Sequence, residues 1–136
     1  MPPDPIRAEE VLPWLEKAKA DLRVAETIIK LKPPVFEFVL FHCQQAIEKS
    51  LKAFLIWHDV RFQKTHDLRL LGQQCARLDP SLEILLQQAA PLSEYAWKFR
   101  YPGEETAPKK TDAVAGLRLA KKVLSEIRKK LPLDAL

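Results

Sequence analysis

Apolar residues recur along this chain at every third or fourth position, and each such stretch predicts an amphipathic helix with one buried side. The clearest stretch runs from about Val35 to Trp57. At about 100° per residue, one sector of this helix contains apolar side chains, namely Leu40, Cys43, Ile47, Leu51 and Phe54. A different sector contains polar side chains, namely His42, Gln45, Lys49 and Lys52. One side therefore packs in a core, and the other is free to meet a partner or a ligand.

The same pattern predicts four further helices, over about 9–31, 67–78, 81–99 and 111–131. Pro13 is tolerated only near the first turn of the first helix, and Pro91 is expected to kink the fourth. Thr65 or Asp67 is expected to cap the third. Three glycines in 136 residues, with no alternating apolar and polar runs, argue against a sheet. We predict an all-α fold, an up-and-down antiparallel bundle of four to five helices, in a single domain (1–136) with an ordered core over about 9–131.

Composition narrows the class of protein. Hydrophobic residues make up 47% and charged residues 29% of the chain, as in a soluble globular domain. No apolar run approaches the roughly 18 residues of a membrane span, and the first residues do not resemble a signal peptide, so we expect a cytoplasmic protein without membrane contact. Cys43 and Cys75 are 32 positions apart and have no histidine at metal-binding spacing. We therefore predict reduced core cysteines, no metal and no cofactor.

Residues 109–130 form a basic segment, with eight basic and two acidic side chains and thus a local charge of +6. Such a stripe attracts a polyanion or an acidic protein surface. The alternative is a solvated helix face, and no aromatic residue lies between these charges as a base-stacking platform would require.

Histidine and arginine side chains are the candidates for chemistry, because no phosphate-binding glycine loop and no hydrolase motif occurs in the sequence. His66 lies beside Asp67 at a predicted helix start, where its ring can be held in one tautomer. The alternative is that both residues only tie the loop to the bundle. Arg61 and Arg100 are the candidate partners, since a guanidinium stabilises phosphate charge while an imidazole moves a proton.

Four short segments, 14–22, 41–52, 64–68 (Lys-Thr-His-Asp-Leu) and 100–102 (Arg-Tyr-Pro), together resemble the HEPN domain family, small helical proteins of prokaryotes often encoded beside a minimal nucleotidyltransferase. The resemblance implies a homodimeric bundle that binds nucleotides or RNA. In many members it also implies a metal-independent ribonuclease toxin, with an arginine followed four to six positions later by a histidine. Arg61 and His66 fit that spacing, whereas Arg100 has no histidine at that distance.

Three hypotheses follow from the resemblance. In the first, the protein is a nucleotide- or RNA-binding partner subunit of a minimal nucleotidyltransferase in a toxin–antitoxin-like pair, and the ligand is bound by His42, Gln45, Lys49, Lys52 and Asp67. In the second, it is a ribonuclease toxin that uses His66 with Arg61 or Arg100. In the third, it is a non-catalytic dimerisation scaffold, and Ala46 and Ala53 allow close helix approach at the dimer seam. Gln44 lies in the apolar sector and must find a buried partner.

Overall fold

The structure, a computed structural model, describes residues 5–62, 64–99, 101–103 and 106–133, and this part of the chain contains helices and no strand. The α-helices are α1 (Pro5–Ile28), α2 (Phe36–Trp57), α3 (Leu68–Leu78), α4 (Glu83–Ala89) and α5 (Lys110–Lys129). Two 3₁₀ helices, Pro80–Leu82 and Ala90–Ala96, flank α4. The all-α prediction is confirmed for the described part of the chain, which contains five α-helices.

Helix α2 is the centre of the bundle. It packs against α1, α3, α5 and the 3₁₀ helix Ala90–Ala96, and both α1 and α5 run antiparallel to it. All five side chains of its predicted apolar sector are buried. Helix α5 approaches α2 closely at Gly116, where a Cβ atom would lie 2.5 Å from Cδ2 of Leu40. The bundle thus rests on the helix that also carries four of the five residues predicted to bind nucleotide.

The fourth helix differs from its prediction. The α-helical part ends at Ala89, and the chain continues as a 3₁₀ helix that includes Pro91. Proline has no N–H to donate, and its ring collides with the carbonyl four residues earlier, so the α-helix cannot continue regularly through this position. Helix α1 begins about four residues earlier than predicted, which places Pro13 inside the helix. Asp67 caps α3, because its Oδ1 accepts from the Arg69 N–H at 2.9 Å.

Both cysteines are free thiols in the core, as predicted. Burial raises the pKa of each thiol, Cys43 and Cys75, to about 12. Neither thiol therefore offers a nucleophile at neutral pH. None of the described helices is both long enough and apolar enough to cross a membrane.

Candidate functional site

The loop that carries His66, residues 64–67, joins α2 to α3 and is fixed from two sides. On the α2 side, the Nε2 amide of Gln44 donates to the backbone carbonyl of His66 at 3.0 Å. On the other side, the Ser93 hydroxyl accepts from the Leu68 N–H at 2.8 Å and donates to the Ala90 carbonyl at 2.7 Å. These bonds hold the loop against the bundle, so the position of His66 is set by the core rather than by the loop alone.

A buried carboxylate orients the imidazole of His66. The Nδ1 atom lies 2.7 Å from Oε1 of Glu48, and Glu48 is 5% exposed whereas the His66 side chain is 64% exposed. A carboxylate only accepts hydrogen bonds, so Nδ1 carries the proton of the neutral ring. In that tautomer the Nε2 atom keeps its lone pair. This arrangement of carboxylate and imidazole is suited to moving a proton.

Glu48 belongs to a row of polar residues along α2 that a single helical ridge brings together. Its Oε1 also accepts from Nε2 of Gln44 at 3.1 Å, and its Oε2 accepts from Nζ of Lys52 at 3.1 Å. The Lys52 ammonium lies 5.8 Å from the centre of the Trp14 ring and 5.5 Å from that of Phe62. The carboxylate is therefore fully paired inside the protein, and the predicted buried partner of Gln44 is found.

His66 lines an open groove of about 840 Å³, which we call the His66 groove. Its lining residues come from the loop, from α3 and from the segment after Glu83: Lys64, Thr65, His66, Asp67, Arg69, Gln87, Ala90, Pro91, Ser93, Glu94 and Trp97. The Arg69 side chain is 72% exposed and Trp97 is 63% exposed. One groove thus combines an oriented imidazole with two cations and a large aromatic ring.

The three residues predicted to be catalytic are not all brought together. Arg61 is exposed and lines a separate groove beside Phe62, Thr65 and Gln74, whose amide donates to the Arg61 carbonyl at 3.2 Å. Among the described residues, Arg69 is the arginine that shares a groove with His66. Arg100 lies outside the described residues. The catalytic role of all three stays a prediction.

The residues predicted to bind nucleotide divide between two networks. His42 Nδ1 and Lys49 Nζ both contact the carboxylate of Asp21 on α1, at 2.9 and 2.6 Å. Gln45 donates to Oε1 of Gln44 at 2.7 Å. Lys52 is buried with Glu48, so it lies apart from the His42 side of the helix. Each of these groups already has a partner inside the chain, and their role in binding stays a prediction.

Asp67 is the fifth predicted nucleotide-binding residue and lies in the His66 groove. One carboxylate oxygen caps α3, and the other lies 4.0 Å from the guanidinium of Arg69. The alanines of the predicted dimer seam, Ala46 and Ala53, are completely buried within the single chain. They allow close packing inside the bundle, so they give no support to a seam between two copies.

Sequence reasoning missed four residues of these networks: Asp21, Glu48, Arg69 and Trp97. Glu48 could have been found from the sequence, because it lies four residues after Gln44 and four before Lys52, which is the spacing of neighbours on one side of a helix. The sequence gives no such indication for Asp21 or Trp97, because their neighbours in space are distant in sequence. The described residues contain no group of three or more His, Cys, Asp or Glu side chains arranged to hold a metal ion.

Comparison with known proteins identifies the family. No individual curated protein and no solved structure matches the chain. A family model, that of the HEPN domain, matches residues 11–130, which include all five helices except the first residues of α1. Since this match covers most of the 136 residues, the chain belongs to the HEPN domain family.

Proposed function

We propose that this HEPN-domain protein binds the phosphate and base of a nucleotide or of RNA in the His66 groove. One observation carries the proposal: the exposed imidazole of His66, fixed by the buried Glu48, shares that groove with Arg69 and Trp97. An exposed aromatic ring and an exposed guanidinium supply the two contacts that single-stranded nucleic acid needs.

Five of the lining residues have distinct parts in this binding. The Arg69 guanidinium donates to phosphate oxygens, and the Lys64 ammonium adds a second positive charge beside them. The Trp97 ring stacks on a base, a contact that tolerates every base because each has a π face. His66 then faces the ribose and phosphate through Nε2. Asp67 keeps Arg69 at the groove by capping the helix that carries it.

The partner in this proposal is a minimal nucleotidyltransferase, as in a toxin–antitoxin-like pair. HEPN domains commonly pair with nucleotidyltransferases. In such a pair the enzyme performs the chemistry, and the present chain supplies a nucleotide-binding surface. A homodimer is part of the same proposal, and light scattering at micromolar concentration tests it: a mass near that of one 15.6 kDa chain would contradict the dimer.

Fluorescence anisotropy of a labelled single-stranded oligoribonucleotide tests the binding site. Arg69→Ala is expected to weaken binding about tenfold, since it removes one charge-assisted phosphate contact. Arg23→Ala is the matched control, because Arg23 is exposed on α1 and lines none of the surface around His66. Equal affinities of the wild type and Arg69→Ala would contradict the proposed site.

A third variant separates the two predicted binding faces. Lys49→Ala removes a cation from the polar side of α2, where it contacts Asp21. We expect this variant to keep its affinity for RNA. If Lys49→Ala weakens binding and Arg69→Ala does not, the ligand lies on the His42 side of α2 instead.

Metal-independent cleavage of RNA is the second candidate, and the contact between Glu48 and His66 favours it. In this reaction Nε2 of His66 accepts the proton of a ribose 2′-hydroxyl, whose oxygen attacks the adjacent phosphorus. The bond to the 5′-oxygen of the next nucleotide breaks, and that oxygen takes a proton from water. The glutamate stabilises the imidazolium that forms.

Incubation of total RNA with the purified protein and a chelator tests this candidate. His66→Ala is expected to abolish cleavage, and loss on Arg61→Ala, Arg69→Ala or Arg100→Ala identifies the arginine that acts with it. No cleavage by the wild type, together with binding by anisotropy, would leave the non-catalytic binding function.

A further inference from the structure

We propose that the adjoining outer sides of α1 and α5 form a docking surface for the acidic surface of a partner protein. Five exposed cations define this surface, which we call the basic face: Lys19, Arg23, Arg118, Lys121 and Arg128. Of the described residues that line the His66 groove, none belongs to α1 or α5. The basic face therefore lies outside the proposed nucleotide site, and a partner can dock there whether or not that site binds RNA.

One ion pair brings the cations of the two helices together. Nζ of Lys121 on α5 lies 3.2 Å from Oε1 of Glu26 on α1. The two cations of α1 precede Glu26 by seven and three positions, so they lie on the same side of that helix as Glu26. The two arginines of α5 lie three positions before and seven after Lys121, on its side of α5. The two sides therefore adjoin, and their cations form one surface.

The charge of the basic face is not neutralised within the described part of the chain. Lys121 pairs with Glu26, whereas the side chains of the other four cations have no carboxylate partner among the described residues. The carboxylates of this surface are Glu16 and Glu26, each three positions from a cation of α1. Cations thus outnumber carboxylates five to two, and the field of the surface is positive.

Arg118 shows that the fold itself gains little from these charges. Its neighbours on the helix surface three and four positions later are Lys121 and Lys122, and those three and four positions earlier are Ala115 and Val114. Like charges at this spacing destabilise a helix. Carboxylates of a second molecule would turn this repulsion into attraction. The arrangement is therefore suited to contact with an external acidic group.

The surroundings of the cations favour a protein over a nucleic acid. Neither residues 15–28 of α1 nor the whole of α5 contains an aromatic residue, whereas single-stranded nucleic acid is bound by rings that stack on its bases. Val114, on the same side of α5 as Lys121, is 38% exposed. Arginine beside apolar contact area is typical of protein interfaces. Because the cations are fixed on two packed helices, they match carboxylates held at fixed spacing on a folded partner.

Fluorescence anisotropy with two labelled helical peptides of identical composition tests this docking surface. In the first peptide, five glutamates occupy one side of the helix, at positions i, i+4, i+7, i+11 and i+14. In the second, the same glutamates are distributed evenly around the helix. We expect the wild type to bind the one-sided peptide about tenfold more tightly, because only its carboxylates can meet the fixed cations together. An RNA of eight nucleotides, single-stranded or paired, is expected not to displace it.

Substitutions of Arg118 identify the surface. Arg118→Ala is expected to weaken binding of the one-sided peptide about tenfold, since it removes one charge-assisted contact, and Arg118→Glu to weaken it further by repulsion. Arg77→Ala is the matched control, because Arg77 is an exposed arginine of α3 and lies outside the basic face. The melting temperature of Arg118→Ala, measured by circular dichroism, is expected to equal or exceed that of the wild type, since a like-charge contact is lost.

The outcomes decide between the possible roles of these cations. Equal affinity for both peptides, or an Arg118→Ala variant that binds as tightly as the wild type, would overturn the docking surface. Displacement of the one-sided peptide by RNA would make the basic face a nucleic-acid surface instead, and binding of neither peptide would leave it a solvated face. A lower melting temperature of Arg118→Ala would show that this arginine serves the fold. The His66 groove is tested separately, with labelled RNA and Arg69→Ala.

Discussion

Replacement of Glu48 by glutamine tests the buried network on which the site depends. The amide keeps the shape of the carboxylate but removes its charge. The carboxylate accepts hydrogen bonds from three donors, on Gln44, Lys52 and His66. An amide has one oxygen, and its NH₂ group would face at least one of these donors. The Lys52 ammonium would then stay buried without its counter-charge.

The expected loss follows from these contacts. Removing one partner of a buried ion pair costs about 3–5 kcal/mol. The rings of Trp14 and Phe62 lie near the Lys52 ammonium. Their cation–π attraction stabilises the unpaired charge and offsets about 1 kcal/mol of this cost. We therefore expect Glu48→Gln to lower the free energy of unfolding by about 2–4 kcal/mol.

Urea unfolding monitored by circular dichroism measures this loss. Glu126→Gln is the control, because Glu126 also pairs with a lysine, Lys129, but on the surface, and such pairs contribute about 0.5 kcal/mol. Adding Lys52→Met to Glu48→Gln is expected to recover stability, since the uncompensated charge is gone. If Glu48→Gln costs no more than Glu126→Gln, or if the double substitution is strictly additive, the reasoning is wrong.

Three further predictions concern single side chains. The hydrogen bond from Lys130 lowers the pKa of Asp79 from 3.8 to about 2. A lowered carboxyl pKa stabilises the fold above the unfolded value and loses this contribution as pH falls towards the folded value. The stability difference between the wild type and Asp79→Asn should therefore shrink between pH 4 and pH 2, and a constant difference would contradict this. Cys43 and Cys75 should resist a thiol reagent at pH 8 in the native protein and react after unfolding in urea, because burial raises their pKa to about 12; rapid native labelling would show that the core opens. Trp97 should lose fluorescence when RNA binds, and Trp97→Phe should remove that change; an unaltered change would place the ligand elsewhere.

The helices were predictable because helical periodicity is a local property. The apolar sector of α2 needed only the order of its residues, and every member is buried. Helical periodicity did not predict the backbone geometry at Pro91. A single proline permits either a kinked helix or a change to 3₁₀ geometry, and the packing of the segment decides between them.

The site was less predictable, because it depends on contacts between distant residues. His66 was selected for its neighbour Asp67, yet the carboxylate that orients its ring belongs to Glu48, 18 positions earlier. Lys52 lies near the border between two sectors of α2, and its pair with Glu48 and the neighbouring rings of Trp14 and Phe62 hold it in the interior. A helical projection gives angles around an axis and does not say which element covers each angle.

Sequence spacing also failed to predict which arginine lies near His66. Arg61 has the spacing from His66 that the family resemblance favours, but spacing along a loop does not fix direction, and Arg61 lines another groove. Arg69 enters the His66 groove because Asp67 starts α3 immediately before it. Once the helix start is known, the first exposed turn of α3 becomes the better candidate.

A two-dimensional amide NMR titration with a single-stranded oligoribonucleotide tests most directly whether nucleic acid binds in the His66 groove. We predict shift changes at residues 64–67, at Arg69 and at the Trp97 indole, with none at His42 or Lys49. Changes confined to the side of α2 that faces Asp21, or no changes at all, would contradict the account.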